Sequence, residues 1–280
     1  VNTATLAHRR RVVEASRRRH PPRAPRPTPP TGAAAGYALA LAAILDPLDA
    51  AVAAALGDAG FPVRLDAQGD APELPGSVAA AIRRFLSNAA KGLPSSRAVD
   101  AIVARAAKGA DAHSRAMWAA QAKALGIDLG DDLFLAARMK AFRKANVALI
   151  KSMVGEHVAR VHRVLKAAGS GTRVEVIQRQ LQEATGASKS RAALIARDQV
   201  LSLNAQVTRD RHAAAGITEY VWRTSRDERV RSRHKELEGT RHAYDDPPVV
   251  DAATGRRAHP GEDFQCRCTA EPVLPGIDDG

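Results

Sequence analysis

The chain has 280 residues, room for one large or two small domains, and a formal charge of +12 from 42 Lys and Arg against 30 Asp and Glu. That balance favours polyanionic partners, nucleic acid above all, though a GC-rich coding sequence raises Arg without functional meaning. Two cysteines argue against an extracellular disulfide scaffold. No apolar run is expected to span a membrane, and Arg9, Arg10 and Arg11 lack the apolar stretch of a signal peptide.

Residues 1–32 read as a basic, Pro-rich arm, expected to be disordered. Residues 1–30 hold eight arginines against Glu14 alone, and six prolines after His20 prevent a regular helix. Arg9, Arg10, Arg11, Arg17, Arg18 and Arg19 are the candidate phosphate contacts, and a solvated tail is the plainer alternative.

Residues 33–214 read as a helical domain. Ala/Leu-rich helix runs from 33 to 57, broken where Asp46 caps and Pro47 restarts it. A Gly/Pro-rich connection follows to 76, then a helix from Ser77 with Ile82, Phe85 and Leu86 inward. Two helices are expected next, Ser96 to Lys108 and a second one starting at Asp111. Apolar residues from Met139 to Leu165 recur every three or four positions and predict one long amphipathic helix. Thr172 to Glu183 is expected to form a helix ended by Gly186, with Ser188 capping another from Lys189 to Ala214. Gly216 would close that one as a left-handed cap. Met117 and Trp118 are core candidates, and Gly169-Ser170-Gly171-Thr172 lacks the phosphate-loop pattern.

Residues 215–272 differ in character. Tyr220 and Trp222 alternate with Val221 as in a strand, and polar turns and a short helix near His234 follow. Gly239, the Pro247-Pro248 pair and Gly255 mark further turns. Phe264 is expected to pack the terminal loop onto the sheet, and residues 273–280 form an acidic tail. The fold class is therefore α+β, mainly helical with a small C-terminal α+β domain. The aromatic content of 4% suits helices packed through Ala, Leu and Val.

The last third also holds the chemistry. Cys266-Arg267-Cys268 places two thiols one residue apart, too close for an unstrained disulfide. Two thiolates on one turn can share a metal, and zinc would draw further ligands from His234 and from His259 or His242. Cys-x-Cys is narrower than the usual structural zinc spacing, and a metal-free cluster also fits. In it Arg267 would hold Asp227, His234 would bond a loop carbonyl, and the cysteines would act as small buried hydrophobes.

Several of these residues carry a resemblance. Gly216-Ile217, Tyr220-Val221-Trp222, Thr224, Asp227, Arg229, Arg231, His234, Leu237, Gly239, Pro260 and Cys266-Arg267-Cys268 resemble the pattern of the phage Mu F-like minor head proteins. Upstream, Ser188, Arg191, Ala192, Ile195, Ala196, Arg197, Asp198, Gln199 and Asn204 match the helix that precedes it. The likeness covers about the last hundred residues. Two positions depart: Val230 where the family often has Thr, and Gln265 where it often has Asn. The resemblance implies a structural cluster of Trp222, Asp227, Arg229, His234, Gly239, Cys266, Arg267 and Cys268. It leaves open a structural zinc on His234, His259, Cys266 and Cys268, and no cofactor is required.

It also implies a minor capsid protein for head morphogenesis, present in procapsid or virion after assembly in the host cytoplasm. Portal protein, major capsid protein and phage double-stranded DNA would be its partners, with no membrane. Relatives with toxin-like domains beyond this region exist, and none is expected after Cys268 here. Two other readings stand beside it. One is a DNA-binding protein outside any particle. The other, ranked behind both, is an enzyme with Asp227 orienting His234 and Cys266 as nucleophile. No catalytic residue is assigned.

Overall fold

The computed structural model describes residues 24–58, 80, 82–84, 86–88, 95–127, 129, 132–168, 172 and 174–274. Arg9, Arg10, Arg11, Arg17, Arg18 and Arg19 lie outside them. The helices are α1 (Thr31–Ala43), α2 (Asp46–Asp58), α3 (Ser96–Leu125), α4 (Leu135–Ala167), α5 (Val174–Ala214) and the short α6 (Ser232–Glu236). The strands are β1 (Glu219–Arg223), β2 (Arg241–Ala243), β3 (Val249–Asp251), β4 (Arg256–Arg257) and β5 (Thr269–Val273). The protein is thus mainly helical with small antiparallel sheets near its end, the expected fold class.

Two expected helix breaks are absent. α3 runs unbroken through Gly109, whose missing side chain has another use: a Cβ there would stand 3.1 Å from the Ala33 Cβ. Asp111 starts no helix and instead accepts from the Arg211 guanidinium at 2.6 Å. α5 runs 41 residues through Gly186. Ser188 does not cap a new helix, because its hydroxyl donates back to Ala184 O at 2.9 Å within the turn. A lone helical glycine weakens a helix by about 1 kcal/mol without ending it.

By backbone contacts the described residues form two compact units. One draws on Ala35–Ala104 and Lys144–Ala196. Its core is Leu48, Val52, Ile82, Leu86, Val158, Val161, Leu165, Ile177 and Leu181, with a buried Tyr37 hydroxyl bonded to Asn146 at 3.0 Å. By length and composition Thr31–Ala53 could cross a membrane, contrary to the expectation that no run would. Here the stretch turns at Ile44-Leu45, carries Asp46 and Asp49, and buries Tyr37, Leu41, Leu45 and Leu48.

The other unit comprises the chain up to Ala34, Arg105–Arg143 and everything from Arg197. One of its cores joins Trp118, Ala122, Leu125 and Ile127 to Ala215, Ile217 and Leu274. Arg211, fully buried, ties this unit together through Asp111 and Asp132. Gly216, at φ +75°, reverses the chain after α5, and Ile217 N donates to His212 O at 2.9 Å. β1 then pairs antiparallel with both β2 and β5, Trp222 facing Ala270 in register. Tyr220 and Trp222 share the buried face, as the alternation requires. β3 and β4 make a second small ribbon.

Residues 24–32 hold a definite path, where disorder was expected through residue 32; residues 1–23 lie outside the described residues. Proline fixes the backbone extended, so its carbonyls find no partner locally. Gln121 donates to Pro25 O at 3.1 Å, Thr269 to Pro27 O at 3.2 Å and His113 to Thr28 O at 2.7 Å. Arg26 reaches Thr224 O at 2.8 Å and Glu238 at 3.0 Å. Residues 24–30 are a strap across this unit.

Candidate functional site

The site is built on the buried face of β1 and the turn before β5. Trp222, Tyr220, Leu237, Val250, Cys266, Cys268 and Ala270 form one buried cluster. α6 presents His234 to it, and the His234 ring stands edge-on to Trp222 at 5.4 Å. Gly239, at φ +80°, ends the turn after α6, and its N–H donates to Trp222 O at 2.9 Å. That bond locks the helix onto the strand.

His234 Nε2 donates to Asp263 Oδ2 at 3.0 Å. Nδ1, left with its lone pair, faces Cys266 Sγ at 3.6 Å and Cys268 Sγ at 3.7 Å. The ligand atoms of these three buried residues lie within 4.8 Å of one another. Sequence reasoning missed Asp263, whose side chain is 1% exposed and which also accepts from Arg231 at 3.0 Å and from Arg256. Its own Oδ1 accepts Phe264 N at 2.7 Å. The signal available was a histidine and two arginines without an assigned acid.

Backbone amides converge on the thiols. Gly261 N and Cys268 N both donate to Cys266 Sγ at 3.4 Å. The buried Trp222 indole N–H makes no hydrogen bond of standard geometry, and its position favours an ionised Cys268. The hydrogen bond shared with Cys268 is the largest influence holding the Cys266 thiol well below its usual range, and the same bond raises Cys268. Burial works against a charged His234, but the Cys266 bond and Asp263 outweigh it, so the ring titrates above its ordinary value.

Glycine and a left-handed residue shape the turn. Gly261 sits at φ +87°, and a Cβ there would meet Ala205 Cβ at 2.9 Å and Cys268 O at 3.2 Å. Gln265 holds φ +55°. Its N–H is fixed by Asp198 Oδ1 of α5 at 2.9 Å. The asparagine common at this place in the resembling family adopts such a conformation more readily.

The remaining residues divide. Arg267 grips Asp227 with two bonds, 2.5 and 2.6 Å, and Asp227 also accepts Arg229 N at 3.0 Å. Asp227 therefore does not orient His234; Asp263 does, and His234 meets a carboxylate, not a carbonyl. His259 is outside the thiol cluster: the Tyr220 hydroxyl bonds its Nδ1 at 3.1 Å. His242 is engaged with Thr240 Oγ1 at 2.7 Å. Phe264 does not pack on the sheet but is 59% exposed, its backbone committed to Asp263 and Arg231. Glu238, also missed, accepts Thr224 N at 2.6 Å and Thr224 Oγ1 at 2.7 Å as well as Arg26, and these contacts hold its carboxyl down at about 2 against the cost of burial.

This constellation coincides with the region matched by comparison. Residues 160–271 match the family described as Phage Mu protein F like protein. That match supports, for this segment, the resemblance to phage Mu F-like head-morphogenesis proteins. The matched segment begins within α4 and ends in β5, so it takes in α5, α6, β1–β4 and the thiol cluster. A Haemophilus influenzae (strain Rd) protein, described only as uncharacterized, is 36% identical over 154 residues, 53% of this chain and 33% of that protein. The chain thus spans about a third of the length of that relative. No solved structure matches it.

Proposed function

We propose that the chain is a minor head protein of a tailed bacteriophage or phage-like particle. It enters the procapsid near the portal vertex and supports head assembly and the packaging or delivery of double-stranded DNA. The observation that carries this is the Mu F-like match over residues 160–271, which includes the thiol cluster and β1–β4. The proposed partners are the portal protein, the major capsid protein and the DNA, and the +12 charge supports the last of these. Assembly takes place in the host cytoplasm, and the product stays with the particle.

The arrangement around the cysteines favours a structural part. Both sulfurs face one imidazole nitrogen, and the carboxylate behind that ring is shared with two arginines. A DNA-binding protein outside any particle would share the charge but not the family match. Mass spectrometry of purified procapsids and virions separates the two. Peptides of this chain in both fractions are expected, and their absence from both would defeat the head-protein reading.

A further inference from the structure

We propose that Cys266, Cys268 and His234 hold one Zn²⁺ ion, with Asp263 as the carboxylate that orients the histidine and a solvent oxygen as the fourth ligand. The claim concerns the chemistry of this cluster and stands independently of the head role.

The distances fit one ion. Tetrahedral zinc, with Zn–S about 2.3 Å and Zn–N about 2.0–2.1 Å, places each sulfur about 3.6 Å from the ligating nitrogen. The observed separations from His234 Nδ1 are 3.6 and 3.7 Å. With a neutral ring, the one Nδ1 lone pair serves one S–H and leaves the second contact unexplained. A cation between the three atoms satisfies all of them.

The histidine tautomer fits as well. Nε2–H is committed to Asp263, so the nitrogen aimed at the sulfurs is the one able to bind a metal. Zinc-bound histidines characteristically donate their other N–H to a carboxylate in this way. Asp263 is itself fixed by Arg231, Arg256 and Phe264 N, so the ring is set before any ion arrives.

The sulfurs are also held as thiolates would be. Two amides, Gly261 N–H and Cys268 N–H, point at Cys266 Sγ, an arrangement that suits a thiolate more than a neutral thiol. Paired thiolates with one imidazole select zinc over the oxygen-seeking cations. Among the described residues no fourth His, Cys, Asp or Glu joins the group. All three ligand residues line a cavity of about 140 Å³ edged by Arg197, Arg229, Arg231 and Arg267. Room for a few water molecules there supplies the last position.

The test is elemental analysis of the full chain purified without added metal, with zinc-edge X-ray absorption on the same sample. One zinc per chain is expected, with two sulfur neighbours at about 2.3 Å and two lighter ones at about 2.0 Å. Cys266→Ser, Cys268→Ser and His234→Ala should each lose the metal, His259→Ala should keep it, and Asp263→Asn should bind about 10- to 100-fold more weakly. If the ligand variants fail to fold, chelation of the wild type followed by Co²⁺ supplies the check, since thiolate-to-cobalt absorption must appear. A well-folded wild type without metal that also gives no cobalt spectrum would overturn the proposal. So would zinc retained at full stoichiometry in a folded Cys266→Ser/Cys268→Ser double variant.

Discussion

His234 and Asp263, 29 residues apart, meet at 3.0 Å with 3% and 1% of their side chains exposed. This pair joins α6 to the turn that carries both cysteines. Removing the acid leaves a buried imidazole and two arginines without it. Breaking a buried pair from one side costs about 3–5 kcal/mol. Asp263→Ala should therefore shift the urea midpoint far more than Asp227→Ala. The Asp227–Arg267 pair is bidentate but lies near solvent, and its loss should cost about 1 kcal/mol. Equal effects of the two substitutions would show that Asp263 is no hub.

The turn geometry makes a second prediction. A non-glycine residue in the left-handed region costs about 1–2 kcal/mol, and Asn relieves part of that. Gln265→Asn should stabilise the protein by about 0.5 kcal/mol, seen as a higher denaturant midpoint at unchanged slope. Gly261→Ala should do the reverse by about 2 kcal/mol or more, since it adds both backbone strain and a clash with Ala205. A neutral Gly261→Ala would contradict the close approach of α5 to this turn.

Acid should weaken the unit that holds the site. Burial lowers His259 from 6.5 to about 4, and His212 to about 3. The unfolded chain takes up protons as pH falls through 6.5, while folded His259 resists until about 4. Stability is thus present above 6.5 and lost as pH falls toward 4, by up to about 3 kcal/mol for His259. Burial raises Glu262, which works in the opposite sense, so the informative quantity is the difference from a His259→Gln variant. The variant should lose less stability than the wild type between pH 6.5 and 4, measured by chemical denaturation at each pH. Parallel curves would contradict the assignment.

Much of this was legible from sequence, and the failures have physical causes. Strand alternation at Tyr220 and Trp222, the left-handed Gly216 and the Asp227–Arg267 pair follow from local pattern and complementary charge. Gly186 and Ser188 looked like a stop and a cap, but neither makes the contacts that end a helix: Ser188 bonds back to Ala184. Gly109, between the two helices expected there, is a packing glycine against Ala33. Asp263 and Glu238 were missed because their partners come from separated segments, and no periodicity announces a long-range acceptor. The metal candidates narrowed for the same reason, because spacing alone does not separate His259, beside Tyr220, from His234.

The strap refines the test of nucleic-acid binding. Arg26 is engaged by Glu238, and residues 25–28 accept bonds from α3 and β5, so deletion through residue 30 would disturb the fold as well. Deletion of residues 1–23 removes seven of the eight arginines and spares the strap. That truncation should bind duplex DNA more weakly, with a shallower dependence of affinity on salt and an unchanged melting temperature. Equal binding across a salt series would place the DNA contact elsewhere.

The central claim is that this is a head component. It is tested most directly by chemical cross-linking and mass spectrometry of purified procapsids from a phage or induced prophage encoding the chain. The account predicts cross-links between this chain and the portal protein, with the chain retained in mature virions. A chain recovered only from the soluble lysate, cross-linked to no head protein, would contradict it.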